Sequence, residues 1–163
     1  MGLGIMAHAQ KTATAPASAT VLADLTITLD ATQDEIAFGN LSASTPAAVV
    51  LDANGTTNAN AGSVTNVARF DLAGANNAVT VSYDATVTLL KTSGTSASMI
   101  MTPEVVGATL NTAQATATAV GIGTQVTLAS AAYFLWVGGT IPALASQATG
   151  TYSGTFNIDV EYN

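Results

Sequence analysis

Apolar and polar residues alternate with a period of two along the first thirty positions of the chain. The odd positions from 3 to 29 are apolar except at Lys11, whereas the even positions are mostly small or polar. This period is typical of a strand that buries one face. At about 3.3 Å per residue the run would extend for roughly 90 Å, several times the length of an ordinary strand. One domain therefore cannot house the whole run.

Pro16 divides this run, because proline cannot donate a hydrogen bond to a sheet ladder. We expect residues 17–163 to form a single domain and residues 1–16 to form an N-terminal extension. In one interpretation the extension is a donor strand that is buried in a neighbouring subunit. In the other, Ala7-His8-Ala9 before Gln10 marks the remnant of a signal peptide. The donor strand would bury the apolar residues at its odd positions, namely Leu3, Ile5, Ala7, Ala9, Ala13 and Ala15.

Short β-like runs separated by turn residues follow along the rest of the chain, and no helical period competes with them. Residues 64–72 and 79–90 flank Gly74-Ala75-Asn76-Asn77, which predicts a hairpin. Further candidate strands cover residues 36–38, 47–51, 99–101, 115–120, 125–128 and 133–137. Several short strands with turns between them predict an all-β fold, an immunoglobulin-like or Greek-key β-sandwich.

The last fourteen residues, 150–163, show the most regular alternation. The even positions Tyr152, Phe156, Ile158, Val160 and Tyr162 are large and apolar or aromatic, and the odd positions are polar. We expect one continuous strand, because an unpaired strand would expose its aromatic face to water. Four of these residues are predicted to form the core wall beside an acceptor groove: Phe156, Ile158, Val160 and Tyr162.

Composition narrows the functional classes. Hydrophobic residues make up 48% of the 163 positions, enough for one core. Only 8% are charged and the formal net charge is −7, which argues against nucleic acid as a partner. The chain has no cysteine, so it has neither a disulfide nor a thiolate zinc site. No apolar run approaches the roughly 18 residues of a transmembrane helix.

Catalytic and metal-binding patterns are missing from the sequence. The only histidine, His8, lies in the extension, so no Ser-His-Asp set is credible. Asp34 and Glu35 are adjacent in sequence. Because neighbouring residues of a strand point to opposite faces, they do not form the facing pair of carboxylates that a glycoside hydrolase needs. The segment Asp52-Ala53-Asn54-Gly55 begins like a calcium loop but lacks the later acidic ligand, which favours an Asx turn. We predict no catalytic residue, no metal, no cofactor and no enzymatic activity.

Tyr133, Phe134 and Trp136 form the one aromatic cluster of the sequence. Core packing is the simpler interpretation, because adjacent residues of a strand cannot all share one surface. In the other interpretation, Trp136 stacks on a sugar ring. That possibility defines an alternative function, a secreted carbohydrate- or matrix-binding β-sandwich module.

Three segments, in order along the chain, resemble a widespread family of exported bacterial domains of unknown function. They are Asp24-Leu25-Thr26-Ile27-Thr28 with Ile36-Ala37-Phe38-Gly39, then Ala68-Arg69-Phe70-Asp71-Leu72-Ala73-Gly74, and finally Val137-Gly138-Gly139 through Tyr162-Asn163. The likeness begins near residue 19. It implies a secreted β-sandwich and no established chemistry.

The C-terminal strand also resembles that of chaperone-usher pilus subunits, which carry a glycine fourteenth from the end and a penultimate aromatic residue. Gly150 and Tyr162 occupy these positions. The resemblance implies an incomplete sandwich that is completed by the N-terminal strand of a neighbouring subunit. It also implies a periplasmic chaperone and an outer-membrane usher as partners. Many pilus subunits have a disulfide, and this chain departs from them there.

From these observations we expect a structural subunit of an extracellular, cell-surface homopolymeric filament. Its main partner is a second copy of itself, joined by donor-strand β-augmentation.

Overall fold

A computed structural model describes residues 11–163 and contains β-strands, one short 3-10 helix and no α-helix in that range. The all-β sandwich is therefore confirmed, whereas the donated strand stays a prediction. The 3-10 helix covers Gln114–Thr116. The strands are β1 (Thr26–Leu29), β2 (Val49–Leu51), β3 (Ala68–Ala73), β4 (Ala78–Tyr83), β5 (Val87–Lys91), β6 (Ser98–Ala108), β7 (Thr118–Ala119), β8 (Thr124–Thr127), β9 (Ala132–Ile141), β10 (Tyr152–Ser153) and β11 (Ile158–Tyr162).

The first sheet is antiparallel and runs in the order β1-β3-β9-β6-β5-β10, with β2 on β9 and β7 on β6. Strand β9 is its centre, because it pairs with β3, β6 and β2. Leu135, Trp136 and Val137 of β9 are completely buried, so this strand is covered on both faces. Gly138 and Gly139 lie against the backbones of Leu51 and Thr102. A side chain at either glycine would collide with a neighbouring strand.

The second sheet is smaller, with the order β11-β4-β8, and it covers only part of one face of the first sheet. Leu135 and Val137 pack into the core between the two sheets, together with Val79 and Val81 of β4. Trp136 points to the opposite face and belongs to a second cluster that includes Val106 and Phe134. Because successive side chains of β9 point to opposite faces, this strand contributes to both hydrophobic clusters.

The predicted hairpin between residues 64–72 and 79–90 is wrong. Strand β3 pairs with β1 and β9, whereas β4 pairs with β8 and β11 in the other sheet. The turn at Gly74–Asn77 therefore connects two sheets. The predicted strand over residues 79–90 is also divided, into β4 and β5. Alternation identifies which residues are extended but not which strands are neighbours.

The predicted continuous final strand is also corrected. It divides into β10, which pairs with β5 in the first sheet, and β11, which pairs with β4 in the second. The break lies between Ser153 and Ile158. Strands β4 and β5 are also consecutive in the chain. The two paired segments, β4–β5 and β10–β11, therefore pass from one sheet to the other at the same level. Both halves nevertheless lie in sheets.

The sandwich begins at Thr26, the first residue of β1. Residues 11–20 carry no secondary structure and are all exposed. Pro16 lies inside this exposed stretch, so the apolar positions on either side of it are not covered by the domain. Among residues 11–163 we find no helix with the length and hydropathy that crossing a membrane requires.

Candidate functional site

An open groove of about 950 Å³ lies where the second sheet does not cover the first. Strands β3, β5, β6 and β9 supply its floor. Residues 34–43 form one wall and residues 147–156 form the other. The large apolar side chains that line it are Leu29, Ile36, Phe38, Leu41, Val64, Phe70, Val87, Leu89, Met99, Met101, Ile141, Leu144, Tyr152 and Phe156.

The floor is apolar because strand alternation places its side chains on one face. Val87 lies opposite Met101 and Leu89 lies opposite Met99 in the β5–β6 ladder. Val87 and Met101 are 4% and 2% exposed, whereas Leu89 and Met99 are only partly buried. The sequence pattern did not indicate that these residues form the floor of a site. The alternation of 79–90 was visible, but the change of sheet within it was not.

The loop at residues 34–43 is held by backbone hydrogen bonds rather than by a strand. Ala37 forms an isolated antiparallel bridge with Asn66, and the Gly62 N–H donates to the Phe38 carbonyl at 2.8 Å. Gly39 has a φ of 73°, and a Cβ there would lie 2.5 Å from the Val64 carbonyl oxygen. A glycine is therefore required, and it allows Phe38 to turn into the core.

The opposite wall is held by Tyr152 and Gly154. The Tyr152 hydroxyl donates to the Ala148 carbonyl at 2.7 Å and accepts from Gln147 Nε2 at 2.9 Å. A Cβ on Gly154 would lie 2.5 Å from the Thr88 carbonyl oxygen, so the chain passes very close to β5 here. These contacts fix the wall as it leaves the first sheet.

The four predicted acceptor residues are brought to one side of the sandwich. Phe156, Ile158, Val160 and Tyr162 are all partly buried and pack against the core between the sheets. Phe156 also lines the groove, and its ring centroid lies 6.2 Å from that of Phe70. The other three continue away from the groove along β11.

The outer edge of β11 has no partner strand in the described part of the chain, since β11 ends the order of its sheet. Asp84 N–H donates to the Asn157 carbonyl, and Asn163 N–H donates to the Ala78 carbonyl. Hydrogen-bonded positions recur every second residue along a strand, so the backbone groups of the odd-numbered residues of β11 bond to β4. The backbone groups of Ile158 and Val160 point away from β4, toward the free edge.

Within residues 11–163, strand β1 also has no partner on its outer edge, which lies on the same side of the sandwich. It ends the order of the first sheet, and its Asp30 N–H donates to the Arg69 carbonyl. Even-numbered residues thus bond to β3, and the backbone groups of Ile27 and Leu29 face outward. We call the space between the free edges of β1 and β11 the gap. Two unpaired edges above an apolar core form a site for an added strand.

The structure describes only two of the six predicted donor residues. Leu3, Ile5, Ala7 and Ala9 lie outside the described residues. Ala13 and Ala15 are exposed and belong to no strand. The structure therefore brings neither alanine to the groove of its own domain.

Trp136 was a candidate for stacking on a ligand, and the structure places it in the core. Its side chain is 0% exposed, and its ring lies 6.4 Å from that of Phe134. In this conformation the indole presents no surface to a sugar ring.

The acidic loop at Asp52 forms the predicted Asx turn, in which Oδ1 accepts from the Asn54 N–H at 3.0 Å. Its other oxygen accepts from the Thr57 N–H at 2.7 Å and from both donors of Thr56. Burial raises the pKa of Asp52, but these hydrogen bonds outweigh it and hold the pKa below its usual value. Within residues 11–163, no three His, Cys, Asp or Glu side chains come together as metal ligands would.

A comparison with protein families assigns the domain. Residues 25–162 match the model of a domain of unknown function, DUF4402. The chain belongs to this family. The match starts one residue before β1 and ends at the last residue of β11, so the DUF4402 domain coincides with the sandwich. No curated protein matches the chain.

The boundary of the DUF4402 match separates the two parts of the candidate site. The groove and both free edges lie inside the matched residues, whereas the period-two extension lies before them. The described part of the extension, residues 11–16, thus lies outside both the sandwich and the family match.

Proposed function

We propose that this protein is a structural subunit of a homopolymeric filament, in which the N-terminal extension of one copy adds a strand to the next. The observation that carries the proposal is the gap between β1 and β11. It has a free backbone edge on each side, Ile27 and Val160 beneath it, and the apolar groove at one end. A strand with one apolar face is the complement of such a gap.

The extension has the matching pattern. It alternates apolar and small or polar residues, and its described part is exposed and unpaired. A long exposed strand with one apolar face is unfavourable in water unless another molecule covers it. Donation to a second copy covers both the extension and the gap in a single step.

The same proposal includes export from a bacterial cell, a cell-surface location and a non-enzymatic role. A periplasmic chaperone and an outer-membrane usher are its proposed assembly partners. These elements rest on the resemblance of the C-terminal strand to pilus subunits and on the paucity of charge in the chain. The carbohydrate- or matrix-binding alternative loses its supporting residue, because Trp136 is buried.

Electron microscopy and light scattering of the full chain and of a variant lacking residues 1–16 test the proposal. We expect long particles from the full chain and monomers from the truncated variant. A synthetic peptide of residues 1–22 should then bind the truncated variant and raise its Tm, since a ligand that binds only the folded state stabilises it. A matched peptide with Ile5→Asp and Ala13→Asp should not. Filaments from the truncated variant would refute strand donation.

A further inference from the structure

The face of the first sheet that lies opposite the groove is open over β5 and β6. Val87 and Leu89 of β5 line the groove, so the residue after each of them points to the other face. The ladder partners of those residues in β6 share that face. We call this surface the outer patch, and its members are all exposed: Thr88, Leu90, Ser98, Ile100, Thr102 and, on β10, Ser153.

Two large aliphatic side chains stand at the centre of the outer patch. Leu90 is 59% exposed and Ile100 is 53% exposed. They are diagonal neighbours on adjacent strands, about 7 to 8 Å apart, because Leu90 lies opposite Ser98. On the same face of β9, Trp136 is completely buried. The domain therefore covers this face over Trp136 and leaves it open over the β5–β6 hairpin.

Charge indicates which molecule covers the outer patch. The chain carries ten acidic residues and three cations, so two copies repel each other unless surfaces poor in acid meet. Between residues 85 and 158 only Lys91 and Glu104 are charged. A second copy of the chain can therefore approach the outer patch without bringing clusters of carboxylates together.

The two charges lie at opposite ends of the outer patch. Lys91 ends β5, and its ammonium nitrogen reaches the hairpin loop, 3.5 Å from where a Cβ on Gly94 would lie. Glu104 is exposed in β6, four residues beyond Ile100. Both ion pairs within residues 11–163 belong to Arg69. The outer patch is thus apolar at its centre, positive at the loop end and negative at the other end.

We propose that the outer patch is a contact between two copies of this chain, packed face to face with their strands antiparallel. A two-fold axis near Ile100 places the hairpin loop of each copy over Glu104 of the other. Ile100 then packs on its counterpart, and Lys91 lies near a carboxylate. A contact of this kind uses the same surface on both copies, so that surface must be complementary to itself. The outer patch meets this condition, and it does not include the extension.

The size of the outer patch limits the strength of the contact. Strands lie about 4.8 Å apart and outward residues recur about every 6.7 Å, so the six residues cover roughly 200 Å². A standard interface buries about 800 Å² on each partner. A single contact is therefore weak. In the proposed filament many such contacts act together and join neighbouring filaments side by side, a role that rests on the proposed function.

Cross-linking of introduced thiols tests the contact, because the chain has no cysteine of its own. In the antiparallel arrangement Ser98 of one copy lies over Thr102 of the other, since each is two residues from Ile100. Full chains with Ser98→Cys and with Thr102→Cys are mixed at high concentration, treated with a short bis-maleimide and analysed by mass spectrometry. Gln125→Cys, on the exposed face of the second sheet, is the control.

We expect links between the two variants to exceed the links within either variant several-fold, and the control to give few links. Equal yields for every pair, the control included, would overturn the contact. More links within each variant than between the two would overturn the antiparallel arrangement.

The double variant Leu90→Ser, Ile100→Ser tests the apolar centre. Its yield of links between positions 98 and 102 should fall about tenfold, because both side chains lose their water-exposed area only in the contact. Leu110→Ser is the matched control, since Leu110 is 63% exposed outside the outer patch. An unchanged yield in the double variant would overturn the role of the two side chains.

Exchange of the two charges tests the arrangement independently. Lys91→Glu and Glu104→Lys each bring like charges together, and each should lower the yield several-fold. The double variant restores opposite charges across the two-fold axis, so its yield should recover. A double variant no better than the single variants would overturn the antiparallel contact. Strand donation is tested separately, because the variant Ile5→Asp, Ala13→Asp should lose its filaments and keep the same pattern of links.

Discussion

The carboxylate of Asp84 accepts two hydrogen bonds from Asn157, at 2.9 Å from its backbone N–H and at 2.8 Å from its side-chain amide. Asp84 N–H donates to the Asn157 carbonyl in return, at 3.1 Å. These residues lie where the β4–β5 segment and the β10–β11 segment pass together from one sheet to the other. The pair joins the two segments at the point where each leaves its ladder, and it thereby sets the position of the groove wall.

Replacing Asp84 by alanine should lower the free energy of unfolding by about 2 kcal/mol, because two hydrogen bonds to a charged acceptor are lost at a partly exposed site. Asp84→Asn retains the shape and should cost less. Chemical denaturation of the truncated variant lacking residues 1–16 measures both without interference from assembly. If Asp84→Ala and the parent were equally stable, the Asp84–Asn157 pair would not stabilise the passage of the two segments between the sheets.

The double variant Ile5→Asp, Ala13→Asp should fail to form filaments. Each aspartate would place an unpaired charge on the buried face of the donated strand, at a cost of several kcal/mol in a dry site. Thr12→Asp, Thr14→Asp adds the same charge on the polar face and should still assemble. Electron microscopy distinguishes the two, and normal filaments from the first variant would contradict the proposed buried face.

Phe156→Ala should destabilise the domain by about 2 kcal/mol. This is less than the roughly 3 to 5 kcal/mol of a fully buried phenylalanine, because Phe156 is only partly buried and faces the groove. Its ring contacts Phe70 and Tyr83, with centroids at 6.2 and 5.9 Å. Thermal unfolding compared with the exposed control Thr155→Ala is the measurement. If the Tm of Phe156→Ala equalled that of the parent, Phe156 would not be part of the core wall.

Filaments should survive both low salt and about 1 M salt, and should come apart only where the domain unfolds. With 8% charged residues and three cations, ion pairs cannot be the main bond between subunits. Dissociation must instead break a ladder of hydrogen bonds together with apolar contacts, so it should be slow. Light scattering across a salt series provides the measurement. Release of folded monomers by salt alone would argue against strand donation.

Asp30 should make the domain sensitive to acid. Hydrogen bonds from the Thr32 side chain and from the N–H groups of Thr32 and Gln33, with the nearby Arg69 guanidinium, lower the pKa of Asp30 from 3.8 to about 2. A pKa lowered by folding means that the charged form stabilises the fold. This contribution is complete above about pH 4 and declines as the pH falls toward 2.

The variant Asp30→Asn should therefore be less stable than the parent at neutral pH, and its stability should change less between pH 4 and pH 2. Tm measured across this range tests the expectation, with Asp159→Asn on the exposed face of β11 as the control. If the Tm of the parent and of Asp30→Asn changed in parallel with pH, Asp30 would not be the source of the acid sensitivity.

The period-two pattern alone was sufficient to predict the buried face of the final strand, although the same pattern in residues 11–20 corresponds to no strand of the domain. Ile158, Val160 and Tyr162 pack inward while Asp159 and Glu161 are exposed, as the alternation of the last strand indicated. The polar segment between Lys91 and Ser98 is the turn of a true hairpin, β5–β6. These features depend on residues close in sequence, and alternation reports them directly.

Tertiary structure alone decided which strands are neighbours, where they change sheets and therefore where the groove lies. The crossing of the last strand depends on Asp84 and Asn157, which are 73 residues apart, and the hydrogen bond from the Tyr162 hydroxyl to the Ala23 carbonyl joins residues 139 positions apart. A run with period two has the same appearance whether it stays in one sheet or passes into another. The choice is made by backbone contacts between distant segments, such as Gly154 against Thr88, and side-chain alternation carries no record of them.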